Sequence, residues 1–95
     1  MYNRTQMAFE WDPKKAASNA LKHRIRFADA VSVLEDDQAL TVQDDASTEE
    51  RWVTIGMSAP GFIVTVVYTW RGKNIRMISA RAASKREVRQ YIGSL

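Results

Sequence analysis

Apolar positions along the 95 residues follow two rhythms, and the change between them divides the chain. In the first third the spacing is helical. Phe27, Ala30, Val31 and Leu34 fall at i, i+3, i+4 and i+7, one apolar stripe of a helix. Ahead of it, Asp12-Pro13 reads as a helix start. The aspartate can accept orphan amide hydrogens at the N-cap, and the missing donor of proline costs nothing at the first helical position. This first helix is predicted over Pro13 to about His23, with Ala16, Ala17, Ala20 and Leu21 inward and Lys14, Lys15 and Lys22 in water. Glu35, Asp36 and Asp37 follow the second helix, where they oppose its dipole and help to stop it.

Beyond residue 50 the rhythm becomes that of strands. Arg51 to Ser58 alternates Val53, Ile55 and Met57 against Trp52, Thr54 and Gly56. Ala59-Pro60-Gly61 is a turn, and Phe62 to Trp70 is apolar on both faces, as a central strand is. Arg71-Gly72-Lys73 turns into a third strand, Asn74 to Arg81. Ser84, with Glu87 three residues on, forms a capping box for a last helix whose inner side is Val88, Tyr91 and Ile92. Met7–Trp11 and Ala39–Asp44 are weaker strand candidates, and Asp44–Glu50 is a polar loop. The order β-α-α-β-β-β-β-α predicts a single α+β domain over residues 1–95, an antiparallel sheet with two N-terminal helices and a C-terminal one.

Composition narrows the class. At 45% hydrophobic and 26% charged residues the chain is expected to fold as an ordinary globular domain. No apolar run approaches the roughly 18–20 residues of a membrane helix. The N-terminus has no apolar secretory core, so a cytoplasmic protein is expected. With no cysteine and one histidine, neither a metal nor a cofactor is expected. The net charge of +3 conceals a segregation. Seven of the eleven acids lie between Glu35 and Glu50, whereas the chain from Arg71 onward carries seven basic side chains and only Glu87. A strand bearing Arg76 and Arg81 beside a helix bearing Lys85, Arg86 and Arg89 reads as a phosphate-facing surface.

These residues resemble a known family. Phe9-Glu10-Trp11-Asp12, Lys22-His23, Glu50-Arg51-Trp52, and Ile75 to Arg81 with Arg86-Glu87 and Tyr91 downstream are together similar to the BrnT family. Its members are ribonuclease toxins of type II toxin–antitoxin modules with a RelE-like fold, and the likeness extends from about Phe9 to Tyr91. It implies a metal-independent endoribonuclease that cleaves messenger RNA and inhibits translation. It further implies a BrnA-like antitoxin partner with a ribbon-helix-helix DNA-binding part, which silences the toxin in a complex that represses its own operon. There are departures. Arg24 stands where the family usually has a glycine after Lys-His, Arg26 stands where a small capping residue is usual, and Val88 and Gln90 interrupt the basic last helix. The alternative that Arg24 and Arg26 suggest is a non-catalytic module kept for its partner interface.

RNA can be cut when its 2′-hydroxyl attacks the adjacent phosphate. The protein must then remove one proton, stabilise charge on phosphorus and return a proton to the leaving oxygen, and each proton transfer gives roughly a hundred- to ten-thousand-fold. Arginine suits the charged phosphate because its planar fork donates two parallel hydrogen bonds. Arg81 is the first candidate clamp and Arg76 the second; either could instead pair with Glu10, Glu49 or Glu50. Five residues apart on a regular strand, the two face opposite ways unless a bulge or the strand end intervenes. A two-residue turn at Gly72-Lys73 sets Thr69 opposite Arg76 and puts Arg81 on the face of Val64, Val66 and Tyr68; a three-residue turn swaps the faces. His23, with a side chain that ordinarily titrates near neutrality, is the candidate acid or base, although a helix C-terminus favours histidine in any case. Lys22 is a candidate phosphate contact and Glu10 an alternative base. Lys85, Arg86 and Arg89 would bind RNA, while Tyr68, Trp70 and Tyr91 could stack unpaired bases or belong to the core or the antitoxin interface.

Overall fold

A computed structural model describes residues 8–44 and 49–95. The elements are β1 (Phe9–Glu10), α1 (Pro13–His23), α2 (Phe27–Ala30) running into a 3-10 segment (Val31–Glu35), β2 (Leu40–Asp44), β3 (Arg51–Met57), β4 (Ile63–Arg71), β5 (Asn74–Ala82) and α3 (Lys85–Gly93). The α+β order is the expected one. Two details differ. The second helix keeps the α form for only four residues before tightening, and β1 pairs with β5 in parallel, so the sheet is mixed. Met7 and most of the expected Asp44–Glu50 loop fall outside the described residues.

The sheet order is β1-β5-β4-β3-β2, with the doubly apolar β4 at its centre. One face packs against α1, α2 and the 3-10 segment. Its core is Phe27, Ala30 and Val33 set on Val64, Val66, Tyr68, Ile75, Met77 and Ala80, with Trp11 and Trp52 against it. At one point the approach is too close for a side chain. A Cβ on Gly56 would lie 3.0 Å from Ala39 Cβ and 3.1 Å from Val33 Cγ1, so β3 meets the 3-10 segment only because residue 56 is glycine.

Helix α1 begins as its sequence dictates. Asp12 accepts from Lys14 N at 2.9 Å, and Pro13 opens the first turn. Its inner face keeps Ala16 and Ala20 as expected but not Ala17 or Leu21, the latter 85% exposed, and Asn19 is buried in their place. The reason is the sheet edge. Among the described residues strand β1 pairs only with Ile75 and Arg76, and farther along β5 none of them offers the backbone of Ala80 a strand partner on that side. The Asn19 carboxamide supplies one: its Nδ2 donates to Ala80 O at 2.9 Å and its Oδ1 accepts from Ala80 N at 3.1 Å. Nδ2 also donates to Ile25 O, tying the corner after α1 to the same point. An amide matches a strand edge in both donor and acceptor, which an apolar side chain cannot do.

Helix α1 ends at Arg24, whose φ of 59° is left-handed and whose N–H donates to Ala20 O. A residue with a Cβ is strained there by roughly 1–2 kcal/mol. Two outcomes follow from α1. Arg24→Gly is expected to raise stability by about 1 kcal/mol, or about 4–8 °C in Tm for a domain of this size, in thermal melts. Asn19→Leu strands two buried backbone groups and is expected to lower stability by about 2–4 kcal/mol in urea unfolding.

Candidate nucleic-acid interface

Strand β5 carries one residue too many for its partner. Met77 faces Tyr68 and Ser79 faces Val67, which leaves Ile78 as a bulge. The Gly72-Lys73 turn is the two-residue kind, with Gly72 at φ 61° and Thr69 opposite Arg76. Without the bulge, Arg81 would lie on the core face with Val64 and Val66. With it, Arg81 pairs with Thr65, on the same face as Thr69 and Arg76. The two guanidinium groups therefore share the face away from α1 and α2. Thr65 and Thr69 are four residues apart, so the arginines stand about 13 Å apart along the strands.

At the Arg81 end the charge is tied down. Arg81 Nη1 and Nη2 donate to the two carboxylate oxygens of Glu87 at 2.6 and 3.0 Å, and Glu87 also accepts from Ser84 N in the capping box. The hydrogen bonds from Arg81 hold the Glu87 carboxyl well down, from 4.5 to about 2, and the same contact raises the arginine. The buried Thr65 hydroxyl has no well-aligned hydrogen bond, yet it lies near enough to Glu87 to help lower it. Arg81 thus joins β5 to α3, and its partner is none of the three carboxylates expected.

For Tyr91 and Tyr68 the core alternative holds and the base-stacking role is corrected. Tyr91 is 5% exposed and its hydroxyl donates to Asp36 Oδ2 at 2.6 Å, so its ring is closed to a base. Burial raises the Asp36 carboxyl, but bonds from Met57 N, the Tyr91 hydroxyl and Gln38 N outweigh it and leave the group below its usual value. Tyr68 is 6% exposed, donates to or accepts from Thr54 at 3.0 Å, and lies on the core face opposite Arg76. Lys85, Arg86 and Arg89 are exposed on α3 at the Arg81 end.

The other end is open. A groove of about 350 Å³ is lined by Lys15, Arg51, Thr69, Arg71 and Arg76, with Glu49 at its side. Arg71 Nε and Arg76 Nη1 each lie 3.6 Å from the same Glu10 carboxylate oxygen, too far for a firm hydrogen bond. Arg51 is held by Glu49 at 2.9 Å. A second depression of about 370 Å³ between α1 and the bulged strand is lined by Lys14, Lys15, Ser18, Lys22, His23 and Ser79. Lys15 and Ile78 border both, so the two form one cationic band. His23 is eight residues from Lys15, about 12 Å along the helix, and does not converge on the Arg76 groove. Lys15, Arg51 and Arg71 were missed in the sequence. The available signal was register, since the two-residue turn alone sets Thr69 beside Arg76.

Comparison with protein families matches residues 11–87 to the ribonuclease toxin BrnT of type II toxin–antitoxin systems. This chain belongs to the BrnT family. Among solved structures, the 1.1 Å crystal structure of the Brucella abortus ribonuclease toxin BrnT is similar at 29% identity and a TM-score of 0.68, over 83% of this chain and 99% of that one. Comparison with curated proteins gives no match. In this BrnT-family chain, then, the cationic band lies on a toxin fold, with an antitoxin as the partner that such a system entails.

The Glu87 pair has a pH signature. Its carboxyl is depressed in the folded state, so its contribution is full above about 4.5 and is lost as pH falls toward about 2. Because the Arg81 end is partly in water, the pair contributes on the order of 2 kcal/mol at neutral pH. Glu87→Gln keeps the capping box, so it is expected to remove that amount and flatten the stability profile between pH 4.5 and 2 in urea titrations.

Proposed function

We propose that this protein is an endoribonuclease toxin that cleaves messenger RNA in the cytoplasm without a metal and is neutralised by a BrnA-like antitoxin. The observation that carries the reading is the loosely held pair Arg71 and Arg76 around Glu10, in a groove completed by Lys15, Arg51 and Thr69. A phosphate entering between the guanidinium groups replaces two contacts of 3.6 Å with short charge-assisted hydrogen bonds. It also releases Glu10, whose carboxylate then stands beside the phosphate as the base for the attacking 2′-hydroxyl. The cations stabilise charge building on phosphorus, the role for which fixed donors are most effective. His23, Lys22 and Lys14 hold the flanking backbone in the second depression, and the proton for the leaving oxygen comes from water at the open groove.

Arg81 acts in this scheme as a positioning residue through Glu87, and Lys85, Arg86 and Arg89 supply long-range attraction for RNA. The antitoxin, a small protein with a ribbon-helix-helix part, silences the toxin by covering the cationic band with acidic side chains. One observation favours the non-catalytic alternative, the firm engagement of Arg81 by Glu87. The same experiment separates the two. Arg76→Ala is expected to reduce RNA cleavage in chelator-containing buffer about 10²–10³-fold and to relieve growth arrest, while Arg81→Ala chiefly lowers stability. Intact RNA with the wild-type protein would select the non-catalytic module, and undiminished cleavage by Arg76→Ala would remove the groove from the site.

A further inference from the structure

Behind the phosphate groove, on the other face of the sheet, lies a pocket of about 490 Å³. The two are built from the same short stretches of chain. Phe9, Trp70 and Ile75 line the pocket, and their next neighbours Glu10, Arg71 and Arg76 form the ionic cluster of the groove. Alternation along three adjacent strands thus makes an apolar site and a cationic site back to back at one end of the sheet. Trp70, 47% exposed, borders both.

The pocket has a polar floor unlike a simple gap in the core. Thr41 Oγ1 and Thr54 Oγ1 are 2.8 Å apart, and Thr54 Oγ1 is 3.0 Å from the Tyr68 hydroxyl. Three hydroxyls share two hydrogen bonds, so one proton and several lone pairs remain for a ligand. Because each hydroxyl can turn, the row can present a donor or an acceptor at its exposed Thr41 end. Glu35 and Asp36, which also line the site, make it hostile to phosphate. A flat, uncharged ring with donors and acceptors on its edge satisfies all of these features.

We propose that this pocket takes one nucleobase of the bound RNA, with Trp70 stacking on it and the Thr41–Thr54–Tyr68 row reading its edge. The inference rests on the phosphate groove described above, because the strand must pass the Trp70 rim to reach both sites. It changes the part played by Tyr68: the buried ring stacks on nothing, and its hydroxyl braces the reading row. It also makes the pocket the determinant of cleavage preference, since a site that hydrogen-bonds an edge discriminates against bases that leave its groups unpaired.

The test uses deoxytrinucleotides, which lack the 2′-hydroxyl and so bind without being cut. Four carry A, G, C or T at the centre and a fifth is abasic there. At least one base is expected to bind about tenfold more tightly than the abasic strand, the usual scale of one aromatic stack. Trp70→Ala is expected to erase that difference, and Thr41→Val to alter which base is preferred, with both variants checked for folding by circular dichroism. Equal binding of all five strands, or a preference that survives Trp70→Ala, would overturn the proposal and leave the pocket to a side chain of the antitoxin. A base preference in binding by a protein that cuts no RNA would instead overturn the nuclease reading alone.

Discussion

A single surplus residue in β5 governs how this molecule presents its charge. Side chains on a strand alternate, so one inserted position reverses everything that follows it. Ile78 is that position, and it takes Arg81 out of the core face and onto the face of Arg76. A bulge costs ladder hydrogen bonds and survives only where the lost pairing is made good. Here β1 ends just before it and the Asn19 carboxamide engages Ala80 just after it. The helix that supplies Asn19 also supplies Lys14, Lys15 and Lys22. The repair of the strand edge is therefore what brings lysines of α1 beside arginines of the sheet.

The two ends of the arginine-bearing face are then put to different uses. Where α3 crosses it, charge is neutralised by short, aligned contacts: Glu87 grips Arg81, and Asp36 gathers Met57 N, Gln38 N and the Tyr91 hydroxyl. These contacts join elements distant in sequence and leave little capacity for a ligand. At the far end one carboxylate, Glu10, is divided between Arg71 and Arg76 at distances too long to satisfy either. Unequal satisfaction of like groups is what distinguishes a structural cation from one available to a substrate. By that measure Arg76, not Arg81, has the spare capacity.

Much of this was legible in advance. The caps at Asp12 and Ser84, the extent of α1 and the central place of β4 follow from residues close together in the chain, whereas the turn at Gly72 was located but its length, two residues or three, was decided only by the structure. Residue types alone told of guanidinium and ammonium groups gathered for an anion. The inward side of α1 was read correctly at Ala16 and Ala20 and wrongly at Leu21, placed inward for its apolar side chain. Apolarity was outweighed by the need of Ala80 for a donor and an acceptor, a need created by a strand 61 residues away in sequence.

What the chain determined by itself is its elements and their caps, its α+β class and its supply of cations, because each depends on neighbours a few residues apart. Which cation is loosely paired and which is firmly held belongs to the tertiary structure. The bulge at Ile78, the choice of Glu87 for Arg81 and the sharing of Glu10 all depend on register and on encounters between distant segments. No spacing rule within one segment contains them, since a shift of one residue on a strand turns a core side chain into a surface one.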